Sequence, residues 1–351
     1  MGNTAWFCTR EDIRSALDAA SAARSDAQLD RALDAAARAV TSRCNRTFVP
    51  VSGTRWFDWP SSQTPRSWVL RLDDNDLISA TAITSGDTTV PVDEVFLEPV
   101  NSCPPFTRVE TRLDRGAAWQ AGDTHQRAVS ITGLWGYSND QVPAGVLATG
   151  VDAAATAVTV SDSAAAGVGH LLTVGAERMR VTGKRLTSTG QTLQAPLTAK
   201  NNEQLLVVTD GSAFHEGETI TLDAERMTIR DIAGNTLIVD RSADGSTLAA
   251  HTGSTIYAPR LLTVVRGVNG TTAATATGGT ALTRWAPPGL IHQLAVAEAQ
   301  NWLLQEQAGY LRTSGASSGS SGKEATLDGL KDLREQVDQS VYARKIRTRA
   351  V

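Results

Sequence analysis

A duplicated segment constrains the fold of this chain more than any other feature. Residues 161–181 read SDSAAAGVGHLLTVGAERMRV, and 48 positions later, without a gap, residues 209–229 read TDGSAFHEGETITLDAERMTI. A second echo follows at an offset of 25, where residues 236–257 match residues 261–282. In that alignment Arg241 falls on Arg266, Gly245 on Gly270 and Gly253 on Gly278. Asp244-Gly245 and Asn269-Gly270 are tight-turn signals, because both residues of each pair tolerate positive φ. The copies predict small β-sandwich or barrel units packed as an array, with duplicated hairpins burying a shared face.

All eight tryptophans lie outside residues 149–282. The flanks are aromatic and helix-capable and contain no repeat. The expectation is a compact body made from both ends of the chain and interrupted by a β-rich insertion, which needs a host site whose two ends emerge close together. A length of 351 residues suffices for two or three domains, each with its own core. With 41% hydrophobic and 20% charged residues, the balance is that of a soluble globular protein. The net charge of −4 offers no broad basic field to nucleic acid. No run approaches the roughly 18 apolar residues of a bilayer span, so no membrane partner is expected. The opening MGNTAWFCTREDIRSAL lacks the charged start and apolar stretch of a signal peptide. Cys8, Cys44 and Cys103 show no CxxC spacing and read as small buried thiols in a reducing cytoplasm.

Periodicity places the elements. Thr9, followed by Arg10, Glu11 and Asp12, nearly matches a capping box, with Ile13 and Leu17 as an apolar edge. A second helix is predicted from Ser25, burying Leu29, Leu33, Ala36, Val40 and Cys44, with Asp26, Asp30, Arg31, Asp34 and Arg38 on a solvated face. Strands are predicted up to Pro60 and over 68–72, 77–83, 92–97 and 128–137, with Pro143 closing the body. In the insertion they fall at 157–160, 171–174 and 177–181, and again from Leu205 through Leu222 and 227–230. A helix over 289–311 carries Ile291, Leu294, Ala295, Ala299, Trp302 and Leu303. The run SGASSGSSG reads as a flexible linker. The fold class is therefore α+β: a helical body with a small antiparallel sheet, interrupted by an all-β repeat insertion. The expected boundaries are 1–148 for helices and sheet, 149–284 for the insertion, 285–312 for a returning helix, 313–322 for the linker, and 323–351 for a terminal helix and basic tail.

Chemistry finds little to hold. None of the five histidines has metal-ligand spacing to another His or Cys. In the alignment of copies His170 corresponds to Glu218 and His215 to Gly167, so each is expected to be a satisfied surface histidine. Glu177-Arg178-Met179 recurs as Glu225-Arg226-Met227, which reads as equivalent turns or cross-strand ion pairs before it reads as a site. Asp73, Asp74 and Asp76 lack the glycine and distal glutamate of an EF-hand and read as a solvated loop. Trp56, Trp59 and Trp135 are expected in the core. No nucleophile elbow, phosphate loop or dinucleotide fingerprint occurs, so neither a catalytic residue, a metal nor a cofactor is expected. The terminal helix presents Leu327, Leu330, Leu333, Val337 and Val341 on one face, an apolar stripe that needs cover. It runs into a tail with Arg344, Lys345, Arg347 and Arg349 and no acid, which reads either as a solvated, disordered end or as a docking peptide for an acidic partner or a phosphate backbone.

The two ends together resemble a known family. Cys8-Thr9-Arg10-Glu11-Asp12-Ile13, the alanine-rich second helix, Phe57-Asp58-Trp59-Pro60, Leu72-Asp73-Asp74-Asn75-Asp76-Leu77-Ile78-Ser79, Gly122-Asp123-Thr124-His125-Gln126-Arg127 and the basic terminal helix look like the head-to-tail connector, or adaptor, proteins of tailed bacteriophages. The likeness is strongest to adaptors of phages of actinobacteria and covers residues 6–147 and 285–351. It implies a non-enzymatic virion protein at the neck, made in the host cytoplasm. Such a protein forms a homo-oligomeric ring, usually of twelve subunits, beneath the portal protein, and receives a stopper or tail-completion protein on its lower face. Genomic DNA passes through the lumen without sequence-specific binding. The resemblance makes Arg344, Lys345, Arg347 and Arg349 candidate portal contacts; the role of the insertion does not carry over. The competing reading is a binding module whose β-repeats recognise glycan or a host surface.

Overall fold

Helix starts follow the capping chemistry. In α1 (Arg10–Ala16) the Thr9 hydroxyl accepts from the Asp12 amide at 3.0 Å, and the Asp12 carboxylate accepts from the Thr9 amide at 2.7 Å. In α2 (Asp26–Cys44) Ser25 and Gln28 make the same exchange, and Leu29, Leu33, Ala36, Val40 and Cys44 are buried, joined by Ala32 and Ala37. The face expected to be solvated is partly an ion-pair seam. Arg10 lies 2.5 Å from Asp30 and 2.8 Å from Asp26, and Arg14 lies 2.5 Å from Asp26. α3 (Gly289–Gln307) buries Ile291, Leu294, Ala295, Ala299 and Leu303 but leaves Trp302 39% exposed at the edge of the stripe. α4 (Ser321–Gln339) begins inside the segment expected to be linker.

The structure is a computed structural model that describes residues 5–17, 25–60, 66–102, 104–307 and 321–344, and of 321–328 the backbone alone. The rest of the expected linker and residues 308–311 of the expected helix therefore lie outside the described residues, as does Cys103. Among the described residues, four helices and three antiparallel sheets make a mixed α+β fold. The chain divides into two compact units, each discontinuous in sequence.

One unit comprises Arg38–Asp140, Ala286–Leu294 and Ala316–Val351. Its strands are β1 (Val51–Phe57), β2 (Val69–Arg71), β3 (Leu77–Ser85), β4 (Thr88–Val90), β5 (Val95–Glu98), β6 (Arg108–Thr111) and β7 (Val129–Trp135). They form a sheet of order β1-β7-β3-β4 and another of order β2-β6-β5. Side chains from both, among them Phe57, Leu70, Leu77, Ile83, Val109, Ile131 and Trp135, make one core. β3 shifts register twice against β7, and Gly133 lies where the Ser79 carbonyl crosses so closely that no Cβ fits. Residues 92–94, expected to open a strand, form a single 3-10 turn after Pro91, so β5 starts at Val95. Trp56 corrects another expectation. It is 60% exposed, because alternation along β1 turns its neighbour Phe57 into the core instead.

The other unit comprises Met1–Ala37, Gln141–Trp285 and Ala295–Gly315. It contains β8 (Gln141–Val146), β9 (Ala157–Thr159), β10 (Leu171–Val174), β11 (Glu177–Thr192), β12 (Leu205–Val207), β13 (Thr219–Leu222), β14 (Glu225–Ala233), β15 (Thr236–Asp240), β16 (Thr255–Val265) and β17 (Ala281–Trp285). They form one ten-stranded sheet, β12-β15-β14-β13-β16-β11-β10-β17-β8, with β9 also paired to β16. Pro143, expected to close the body, sits in edge strand β8 opposite Thr283; an edge strand tolerates proline because one of its sides donates to no neighbour.

The two copies are nested and do not form the expected side-by-side array. β9, β10 and the start of β11 recur 48 positions later as β12, β13 and β14. The end of β16 and β17 recur 25 positions earlier as β15 and the start of β16. The second copy is thus set into the connection between β11 and β16 of the first. Its own equivalent connection is the tight turn at Gly234, φ 62°, between β14 and β15. Each copy has its own core in place of a shared face. Val158, Val160, Leu172, Val174, Met179, Val181, Leu262 and Val264 fall, position by position, on Leu206, Val208, Ile220, Leu222, Met227, Ile229, Leu237 and Val239. Because strand side chains alternate with period two, equal offsets keep every buried residue facing inward.

The N-terminal segment belongs to this unit, although its sequence reads as part of the body. The Arg10 amide donates to the Val168 carbonyl at 3.2 Å, and the Glu11 carboxylate accepts from the Val168 amide at 2.9 Å. Glu11 also pairs with Lys184 at 3.0 Å, and Trp6 packs on the core of the first copy.

Candidate functional site

Of the basic residues singled out at the C-terminus, Arg344 reaches a buried carboxylate. α4 ends at Gln339, where the Ser340 amide and hydroxyl both donate to the Val337 carbonyl, at 3.1 and 2.6 Å. The chain then leaves helical spacing. Val341 points outward at 74% exposure, while its carbonyl accepts from Arg46 Nη1 at 2.9 Å. Tyr342 stands edge-on to Phe48 and Tyr137, with ring centroids 6.4 and 5.4 Å away. The Arg344 amide donates to the Cys44 carbonyl at 2.9 Å, and its guanidinium closes on Asp76.

Asp76 is only 4% exposed. It faces Arg46 Nε at 3.0 Å as well as Arg344, and Arg46 also lies 4.9 Å over the Tyr137 ring. Burial pushes the Asp76 carboxyl above its ordinary range, with the guanidinia of Arg46 and Arg344 pulling the other way. Burial likewise lowers the pKa of Arg46. A second tie runs from Arg43 to Asp338 in α4. The Asp loop thus corrects its sequence reading: Asp74 is solvated, 82% exposed, but Asp76 is a buried anchor. Among the described residues, no group of three or more His, Cys, Asp or Glu is placed to hold a metal ion.

The duplication yields a second constellation. Glu177 receives Arg266 through Nε at 2.5 Å and Nη2 at 2.7 Å, and the Gly267 and Ala274 amides at 3.1 and 3.0 Å. Glu225 receives Arg241 at 2.7 and 2.8 Å and the Ser242 and Ala249 amides at 3.1 and 2.9 Å. The remaining guanidinium donors go to carbonyls, those of Asp152, Ala155 and Ala274 in one copy and of Thr198, Glu203 and Ala249 in the other. Each carboxylate is thereby fully answered within its own copy. These are cross-strand ion pairs, and the arginine of the repeated Glu-Arg-Met triplet is not the partner. The second copy adds His251, whose ring nitrogens stand 2.7 Å from Asp223 and 2.9 Å from Glu225.

No family model, curated protein or solved structure matches the chain. Geometry alone therefore places the residues picked from sequence. Arg344 is engaged by Asp76, while Lys345, Arg347 and Arg349 lie outside the described residues. On α4, Leu330 and Val337 are buried, Leu333 is half-buried and Val341 is exposed; the Leu327 side chain lies outside the described ones. His170 is no surface histidine. It is half-buried with Nε2 2.9 Å from Arg284 Nη1, and burial together with that cation draws its pKa down to about 3. Sequence reasoning missed Arg46 and the roles of Arg241 and Arg266. The latter two were visible as arginines preserved at the 25-residue offset, just as Glu177 and Glu225 are preserved at 48.

Proposed function

We propose that this chain is a virion structural protein, a head-to-tail adaptor that forms a ring between the portal and the stopper or tail-completion protein and surrounds the DNA exit channel. In this reading the unit with the two small sheets and α4 belongs to the adaptor body, and the nested β-repeats are an insertion into its sequence, with the N-terminal segment packed on the first copy. The protein acts by assembly and performs no catalysis. It contacts the portal through its C-terminus, makes a ring with copies of itself, and lets DNA pass without reading its sequence.

Support comes first from the resemblance of residues 6–147 and 285–351. The structural observation that carries the reading is the anchor at Arg344. The chain is tied at Asp76 and at the Cys44 carbonyl, and Lys345, Arg347 and Arg349 follow directly in sequence. A basic segment with a fixed origin suffers less entropy loss on docking than one tethered only by a serine–glycine linker. Arg344 is thus assigned to holding the arm, and the residues beyond it to the portal.

The experiment is a truncation after Arg344, which keeps the anchor and removes the basic residues. Co-sedimentation with purified portal is expected to be lost while thermal unfolding is unchanged. Undiminished attachment contradicts the docking role.

A further inference from the structure

The two copies carry matching turns over the arginine of the repeated Glu-Arg-Met triplet. In the second copy the Ser246 amide donates to the Ala243 carbonyl at 3.1 Å across Asp244-Gly245, and the Arg226 amide donates to the Ser246 hydroxyl at 2.9 Å. In the first copy the Thr271 amide donates to the Val268 carbonyl at 3.2 Å across Asn269-Gly270, and the Arg178 amide donates to the Thr271 hydroxyl at 3.0 Å. The backbones agree as well: φ is 52° and 72° at Asp244 and Gly245, 54° and 77° at Asn269 and Gly270. Chemistry separates them at one position. Asp244 meets Arg226 Nη1 at 2.9 Å, whereas the first copy places an asparagine there, over the equivalent Arg178. The Arg178 side of this pair is the more enclosed: it is 7% exposed, and burial lowers its pKa.

We propose that Asn269 is a self-modification site, deamidated through Gly270 to an aspartate that pairs with Arg178 as Asp244 pairs with Arg226. Asn269-Gly270 is the sole Asn-Gly pair in the sequence. Glycine has no Cβ to shield its nitrogen, and among the described residues nothing accepts from the exposed Gly270 amide. Turn tips open locally at low free-energy cost, which lets the side chain reach that nitrogen. The Gly270 nitrogen attacks Asn269 Cγ, a new C–N bond closes a five-membered imide, and the side-chain nitrogen leaves as ammonia with the amide proton. Water then breaks the new bond at Cγ, leaving a carboxylate and an intact main chain. Opening at the backbone carbonyl instead would lengthen the main chain by one methylene and pull the Thr271 amide off Val268. Arg178 and this turn favour the first product, because a carboxylate gains a charge-assisted bond where the amide had a neutral one. The inference is independent of the adaptor assignment.

The test incubates the full chain in warm, mildly alkaline buffer beside a synthetic peptide of residues 267–284, the tryptic fragment in which Asn269 is the sole asparagine. Mass spectrometry of the chain's own fragment, against a chain digested without incubation, should show a gain of about 1 Da as NH2 is exchanged for OH. An aspartate-specific endoprotease should then cut most of the modified fragment from the chain, but a smaller share of the modified peptide, which no turn holds in register. Asn269→Asp should raise the thermal midpoint of the chain by about 2 °C or more, the shift that one added ion pair at an enclosed arginine gives. A chain that gains no mass while the peptide does overturns the proposal. So does a chain whose product resists the endoprotease, or an Asn269→Asp variant that melts no higher than its parent.

Discussion

Arg241 lies against Glu225 with Nε 2.7 Å from Oε1 and Nη2 2.8 Å from Oε2, and both side chains are closed to solvent. Arg266 and Glu177 repeat the arrangement in the first copy. A buried bidentate pair gives fold-specifying geometry, and its value shows most clearly when one partner is removed.

Substituting Glu225→Gln is therefore expected to destabilise the protein by about 3–5 kcal/mol, because Arg241 stays buried without its counter-charge. Urea unfolding measures the change. Arg241→Met with Glu225→Leu should cost less than the two single changes together, since the pair leaves as a unit. Strict additivity would show that the two side chains act separately.

Acid should find the same weakness. Burial alone would raise the Glu225 pKa, but Arg241, the Ala249 amide, His251 and the Ser242 amide outweigh it and hold the group down from 4.5 to about 2. A folded-state pKa below the unfolded one means that the stabilisation is complete above the unfolded value and lost as pH falls toward the folded one. Stability should drop by ~3 kcal/mol between roughly pH 5 and pH 2 on account of this group. Glu177 and Glu218, also lowered, steepen the same limb. The Glu225→Gln variant should show a shallower acid limb in urea midpoints taken across that window; an identical limb contradicts the assignment.

Nesting makes a sharper prediction. Replacing residues 186–259 by the Ala-Gly-Asn sequence of the β14–β15 turn should leave the first copy folded, because its core and its Glu177–Arg266 pair lie wholly outside the excised stretch. Circular dichroism and a cooperative thermal transition test this. A non-cooperative transition would mean that the second copy is needed to complete the first.

Much of this was legible in sequence, and the gaps have physical reasons. Strand β10 falls where alternation put it, and the Thr9 cap forms as read. The nesting was latent in the two unequal offsets: a tandem array keeps one offset throughout, whereas an insertion changes it where the host chain resumes. The Asp76 anchor was out of reach, because Arg344 lies 268 positions away and no local pattern marks a long-range ion pair. Trp56 misled because hydrophobicity suggests burial, while alternation along β1 allows only one of Trp56 and Phe57 inside.

The anchor has a chemical reporter. Burial first, and then Asp338, pushes the Cys44 thiol up to about 11. Alkylation at neutral pH should be slow in the intact chain and after truncation at Arg344. Truncation after Ser340 removes Tyr342 and the Arg344 amide that covers the Cys44 carbonyl, and should speed labelling about tenfold or more, as a one-unit fall in thiol pKa would. Equal rates in all three chains would mean that the arm does not cover this site.

The central claim is ring assembly on the portal. Electron microscopy of the full chain mixed with its purified portal protein tests it most directly. The account predicts an added ring of copies of this chain, coaxial with the portal and open along its axis. Bare portals, with the chain left monomeric in the background, would contradict it.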